Sequence, residues 1–527
     1  MKKCYFYLFI ILAALLLSVG ALGYILWDDK VVIEQYTFID RPAQIRPDYS
    51  GTVIPPNIAP LNFTIQEEGV HYCVRISSMQ GEPIEIFSRS PKIVIPQKSW
   101  RKLLSRNTGA ELYFDIFVKR ANGKWERPAA ISNKIANENI DPFLVYRKMH
   151  PTHYLLNGPV GIYQRNLENF IELPILTNNY YHRGCLNCHA FCGNRPDKML
   201  IGIRSKKYGN SALLVNDGEV NKIGTRFTYT SWHPSGRLAA YSINRVVQFF
   251  HTSRSEIREA VDEDSFLAYY LVDAGVVKTS PKISRKESLE THPAWSADGR
   301  YLYFCSAPIS QLDIDKTSAN RYSQVKYDLM RISYDIVNDK WGELETVLSA
   351  RDTAMTALLP RASFDGRWLL LCMSDFGCFP AFQQSSDLYL IDLKAAETSG
   401  QYNYHRLEIN SDQSESWHSW SSNSRWIVFS SKRRDGVFTR LYLAYIDKDG
   451  NVYKPVLLPQ KDPLFYDSCL QTYNTPEFVL GPVKVRAENL ASAIRGSRRL
   501  NIDMPISMAT PTTAAPAGYS EPWQQRE

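Results

Sequence analysis

The feature that most restricts the fold of this 527-residue chain is a repeated turn. Trp232-His233-Pro234-Ser235-Gly236-Arg237-Leu238-Ala239-Ala240-Tyr241 is echoed by Trp295-Ser296-Ala297-Asp298-Gly299-Arg300-Tyr301-Leu302-Tyr303-Phe304. The pattern returns as Ser363-Phe364-Asp365-Gly366-Arg367-Trp368-Leu369 and, in weaker form, as Trp420-Ser421-Ser422-Asn423-Ser424-Arg425-Trp426-Ile427. Each copy is followed by a buried-looking strand that closes at an acidic or polar residue: Phe266–Asp273, Asp328–Ile332, Asp387–Asp392 and Leu441–Asp447, with an earlier relative at Ala212–Asp217. An Asp-Gly turn between apolar strands, repeated about every 60 residues, predicts an all-β chain built as a β-propeller. One such blade leaves apolar faces exposed, and its neighbours in a ring cover them. Five copies are clear. Residues 159–167 and Tyr473–Leu480 would supply strands for a sixth, closing the ring with both ends of the repeat region, so five to six blades are expected.

His292-Pro293-Ala294-Trp295-Ser296-Ala297-Asp298-Gly299-Arg300 resembles the turn of the TolB-like propeller repeat, a Pro-x-Trp-Ser-x-Asp-Gly-Arg pattern before an apolar strand. The resemblance covers about residues 185–480 and implies a TolB-like β-propeller over residues 183–482. Two copies depart from it: Asn423-Ser424 stands where Asp-Gly is usual, and the first copy lacks the Trp-Ser turn.

Ahead of the propeller, residues 46–136 alternate short strands with turn residues, as in Leu61–Ile65, Tyr72–Ile76, Lys92–Ile95 and Leu112–Val118. That pattern predicts a small immunoglobulin- or fibronectin-like β-sandwich. Residues 137–182 form a connector expected to lend strands to the propeller. Residues 483–527 read as a short basic helix and a polar tail.

The run Cys185-Leu186-Asn187-Cys188-His189 sits where the propeller begins. Two thiols three positions apart with an imidazole next in line is the pattern that attaches a c-type haem, the sulfurs forming thioethers and the histidine ligating iron. A Cys185–Cys188 redox pair and half of a zinc site are the alternatives. If one covalent haem c is bound, Met199 is the candidate sixth ligand, with His150, His153 and His182 as others and an open position as a further option. With the propeller, the haem run resembles membrane-anchored TolB-like proteins of the bacterial envelope that carry one such motif. Six further cysteines, Cys73, Cys192, Cys305, Cys372, Cys378 and Cys469, are open to either disulfide pairing or burial as free thiols, with Cys372 and Cys378 close enough in sequence to bridge a loop.

Lys2 and Lys3 precede an apolar run from Cys4 to Trp27, long enough to cross a bilayer, and Asp28 and Asp29 follow it. Residues 1–29 therefore predict a signal anchor that leaves the bulk of the chain periplasmic, single-pass in the inner membrane. The aromatic content of 12%, with 31 Tyr and 11 Trp, suits a strand-rich exported protein. A net charge of +7, widely spread, gives no case for nucleic acid. No Gly-x-Ser-x-Gly elbow is present and the chain after residue 480 is too short for a hydrolase domain, so no catalytic residues are assigned. The expected role is a monohaem cytochrome acting in electron transfer or redox sensing with envelope or redox protein partners. The alternative is a haem-free propeller that binds proteins, peptides or glycans.

Overall fold

A computed structural model describes residues 33–150, 158–224, 227–250, 258–312 and 324–496. The expected membrane span at 1–29, His153 and the tail beyond residue 496 lie outside them. Among the described residues, no helix is long and apolar enough to cross a membrane.

Six four-stranded antiparallel sheets follow one another from residue 143 to residue 479. Their innermost strands are, in chain order, Cys185–Phe191, Thr228–Trp232, Ser288–Trp295, Thr356–Ala362, Glu415–Trp420 and Thr472–Val479. Each packs against the next, and the last packs against the first, so the six sheets are the blades of a closed ring. One blade joins the two ends of this region: Phe143–Met149 pairs with Thr472–Val479 on one side and with Val160–Asn166 on the other, and Glu172–Thr177 forms its outer edge. The sequence signalled only Val160–Asn166 and Thr472–Val479. The other two carry none of the repeat's turn residues.

The repeated turn is held by its own side chains. At Ser296 the hydroxyl donates to Asp298 at 2.7 Å and accepts from the Tyr301 amide at 3.0 Å, while Asp298 accepts from the Arg300 amide. Ser363 and Asp365 make the same set of bonds. Gly299 and Gly366 supply the left-handed corner, with φ of 73° and 72°. The degenerate copy preserves the geometry with different residues: Asn423 accepts from Ser421 and from the Arg425 amide, and Ser424 takes the left-handed corner at φ 58°. Asparagine serves here because its side-chain oxygen accepts as a carboxylate does.

Side-chain bonds stitch the blades together. Trp232 donates its indole N–H to the carbonyl of Ala190 one blade back, and His233 bonds the Gly299 carbonyl one blade on. Separate apolar clusters fill the gaps between blades, for example Trp295, Tyr334, Trp341 and Leu302 with Leu238 and Tyr269. A helix at Ala487–Arg495 buries Leu490, Ala491 and Ile494 in the cluster shared by the two blades flanking residue 185.

The N-terminal region holds a seven-stranded and a three-stranded sheet. Between them lies a helix, Gln97–Arg106, that the alternating pattern did not signal; it buries Trp100, Leu103 and Leu104, and Trp100 donates to the Ile58 carbonyl. The strand expected over Lys92–Ile95 ends at Ile93, because Pro96 opens this helix and cannot continue a ladder. Polar contacts fasten the region to the propeller. Asp141 accepts from the Ser422 amide and hydroxyl and from Asn194, and Trp426 donates to the Glu138 carbonyl.

Candidate functional site

Every innermost strand is interrupted by a bulge at the same level. The register skips between Thr228 and Ser231, Thr291 and Ala294, Leu358 and Arg361, and Ser416 and Ser419. The strands ending the ring behave alike, with skips between Leu186 and His189 and at Asn474–Glu477. In five of the six the first bulged residue is left-handed: Tyr229, His292, Leu359, Trp417 and Thr475 have φ between 44° and 52°. None is glycine, and each such conformation costs about 1–3 kcal/mol. A strained corner repeated around an axis turns side chains into that axis which an unbroken strand would send to the two faces of its blade.

Those side chains enclose a pocket of about 20 Å³, room for a water or two or a single small polar group. Cys188, His189, Tyr229, Arg361, Trp417 and Glu477 are among its lining. His189, Ser231, Ala294, Arg361, Ser419 and Glu477 occupy equivalent positions after the six bulges, so one imidazole, one guanidinium and one carboxyl share a single level. Trp417 is held by stacking on Tyr229 at 5.9 Å and by the edge of Phe379 at 5.3 Å. Tyr229 also meets His292 edge-on at 4.2 Å.

The charges of the pocket are set by burial. His189, His292 and His418 are all pushed down to about 3, first by desolvation and then by a guanidinium, that of Arg361 for His292 and His418 and that of Arg147, with a smaller effect of Arg361, for His189. They are therefore neutral at pH 7. Glu477 is pushed up to about 7 by burial, with Arg361 opposing the shift, and it accepts the Phe191 amide at 2.9 Å. His418 uses both ring nitrogens, facing the Cys372 sulfur at 3.6 Å and the Leu370 carbonyl at 3.1 Å. His189 faces the Val145 backbone, while His292 uses neither nitrogen, and the Trp417 indole N–H and the Thr475 hydroxyl are likewise buried without a hydrogen-bond partner in the chain.

The Cys-x-x-Cys-His run lies on the innermost strand Cys185–Phe191. Cys185 is opposite Arg204, and the bulge of Asn187 and Cys188 falls opposite Gly202, an even number of steps away. His189 is opposite Ile201 and so belongs to the other face, with Leu186 and Phe191. Met199 is opposite Phe191, 1% exposed, in the apolar cluster between two blades. With the strand paired in this way, the residues do not fit a bound haem, because the axial space that Cys188 and His189 both line is far smaller than a porphyrin. Among the described residues, no three of His, Cys, Asp and Glu gather as a metal site.

The other sequence candidates are scattered. His182 is exposed, its Nε2 at 2.9 Å from the Lys207 ammonium, on an open depression with Arg183 and Tyr208. His150 stands at the edge of the described residues. Cys73, Cys192, Cys305, Cys372 and Cys378 are buried free thiols and Cys469 a half-buried one, so no bridge joins Cys372 to Cys378. Trp420 packs between blades, whereas Trp417 and His418 reach the axis. Sequence reasoning missed Arg361, Glu477, Tyr229 and His292. A signal existed: a proline follows the left-handed residue at Pro293, Pro360 and Pro476, aligning three inner strands otherwise unlike one another.

No family model matches the chain, and no curated protein does. Solved structures do. The chain is similar to a puromycin hydrolase, with 12% identity, a TM-score of 0.34, and 60% of this chain and 45% of that one covered. It is similar to an oligogalacturonate lyase from Vibrio parahaemolyticus, with 12% identity, a TM-score of 0.33, and 73% and 100% covered. Prolyl oligopeptidase B from Galerina marginata gives 11% identity, a TM-score of 0.34, and 66% and 42% covered. The chain spans less than half the length of the hydrolase and the oligopeptidase it matches. These likenesses concern propeller-bearing enzymes and say nothing of this chain's own activity.

Proposed function

We propose that this chain is an exported propeller of the cell envelope, tethered by its first 29 residues, that binds a ligand group at its axis. The observation that carries this reading is the pairing, in the lining of one axial pocket, of the Arg361 guanidinium with two buried polar groups that have no partner in the chain, the Trp417 indole and the Thr475 hydroxyl. Buried polar groups are ordinarily satisfied, and two that are not, beside a ring of strained corners of the kind that gathers at ligand sites, favour a binding role for this pocket. Envelope proteins, peptides and glycans are the ligand sources expected for such a module.

A second reading keeps the covalent haem c, with Cys185 and Cys188 as attachment points, His189 and Met199 as iron ligands, and electron transfer or redox sensing as the role. In its favour are two half-buried thiols outside any disulfide, with a neutral imidazole next in line. It requires the segment Cys185–His189 to leave the blade. Intact mass of the full chain, made in a host that matures c-type cytochromes, separates the two. Under the axial reading the denatured polypeptide carries no porphyrin and both thiols alkylate; a porphyrin adduct at Cys185 and Cys188 would overturn it in favour of the cytochrome.

A further inference from the structure

We infer that the axial pocket takes a small oxyanion, a carboxylate by class, with Arg361 as its charge partner; this rests on the axial-binding reading above and names its ligand. Arg361 is the ring's cation, and among the described residues no acid lies within ion-pairing distance of its guanidinium, whose half-buried side chain lines the pocket. Glu477, one inner strand beyond the next, is engaged with the Phe191 amide instead. The three imidazoles near Arg361 are neutral at pH 7 and so neither repel an anion nor replace it.

The unpartnered groups are the right kind for this ligand. Arg361 offers a planar fork of N–H donors that matches the two oxygens of a carboxylate. The Trp417 indole is a donor only, and the Thr475 hydroxyl can donate; both are buried without a partner in the chain. The pocket thus presents a cation and two further donors, against one carboxyl that burial drives toward its protonated form. A space of about 20 Å³ admits a carboxylate group and excludes a sugar ring or a nucleotide.

The test titrates the full chain with formate and acetate, following tryptophan fluorescence and heat, with acetamide as the uncharged control of the same shape. Both carboxylates should bind saturably and acetamide should not. Arg361→Gln should weaken binding at least tenfold, Arg361→Lys less, and Trp417→Phe several-fold while leaving the cation in place. Circular dichroism of each variant establishes that it is folded, and Trp417→Phe carries the test if Arg361→Gln is not. Absence of saturable carboxylate binding to the folded wild type overturns the inference, as does equal binding by folded Arg361→Gln. Phosphate bound in preference to carboxylate also overturns it. If acetamide or a neutral sugar binds at Trp417 independently of Arg361, the anion fails but the axial site stands; if no probe perturbs Trp417, both fail.

Discussion

The Trp420 indole N–H donates to the carbonyl oxygen of Arg361 at 3.0 Å. The residue that presents its guanidinium to the axis is thus pinned at its backbone by the neighbouring blade, immediately after a left-handed corner at Leu359 and a proline. Trp420 is 3% exposed, so the bond is shielded from water. Trp420→Phe keeps most of the packing and removes the donor. It should cost about 1–2 kcal/mol in stability, read as a lower urea midpoint, and should loosen Arg361 enough to weaken carboxylate binding as well. Unchanged stability and binding would show that packing alone holds this strand.

A larger loss is expected at Glu415. Its fully buried carboxylate accepts from Ser411 at 2.7 Å, Ser431 at 2.8 Å and Arg433 at 2.9 Å. Removing one partner of a buried pair leaves the other charge uncompensated. Glu415→Ala should therefore destabilise by about 3 kcal/mol, whereas opening the exposed pair of Arg300 and Asp298 should change little. Denaturant titration of the two variants side by side decides whether the loss follows burial.

The C-terminal helix is held by one ammonium. Lys222 Nζ donates to the carbonyls of Ile494 at 2.6 Å, Gly496 at 3.2 Å and Tyr208 at 3.3 Å, capping the end of Ala487–Arg495. A cation at a helix C-terminus satisfies carbonyls that have no partner within the helix. Lys222→Met retains the stem and loses the cap, so limited proteolysis should cut within residues 487–496 faster than in the wild type. Equal rates would mean that burial of Leu490 and Ile494 is sufficient on its own.

The propeller was largely legible because its turns are local. Ser296, Asp298 and Gly299 make their bonds within five residues, and a periodic sequence shows such a unit directly. Even the Asn423-Ser424 copy declares itself through Arg425 and the apolar strand after it. Phe143–Met149 was not legible: its partners are Val479 and its neighbours, more than 300 residues away, and nothing local marks it as a propeller strand. The helix Gln97–Arg106 was hidden for a related reason, since Trp100 meets Ile58 and Phe114, residues well apart from it in sequence on either side. The axis was harder still. Arg361 and Glu477 become neighbours only because six bulges share one level, and bulges alter the register without altering composition. The Cys-x-x-Cys-His run was conspicuous as a motif, yet which face of the blade His189 takes depends on the skip between Leu186 and His189.

Buried titratable groups of opposite kind predict a stability maximum on the mildly acidic side of neutrality. His189, His292 and His418 are held near 3, below the ordinary imidazole value of 6.5. Their unfolded forms take up protons first, so the stability they contribute is complete above about pH 6.5 and is lost as the pH falls toward 3. Glu477 and Glu290 are raised from 4.5 to about 7, and Asp262 from 3.8 to about 7, in each case chiefly by burial. For these the sign reverses: their contribution is complete below the ordinary carboxylate range and is lost as the pH rises through 7. Glu290 faces Arg285, which opposes its shift, while Asp262 faces Asn244 and Cys378, with Asp264 adding to the shift. Glu477 faces Arg361 and the Phe191 amide. Urea midpoints taken from about pH 3 to pH 9 should pass through a maximum, and Glu477→Gln should flatten the alkaline side while leaving the acid side in place. His292→Gln should do the converse, since His292 makes no hydrogen bond whose loss would mask the effect. A midpoint that climbs steadily across that range, or an alkaline limb unmoved by Glu477→Gln, would mean that the carboxyl at the axis is ionised in the folded chain and already compensates Arg361, leaving no charge there for a ligand to meet.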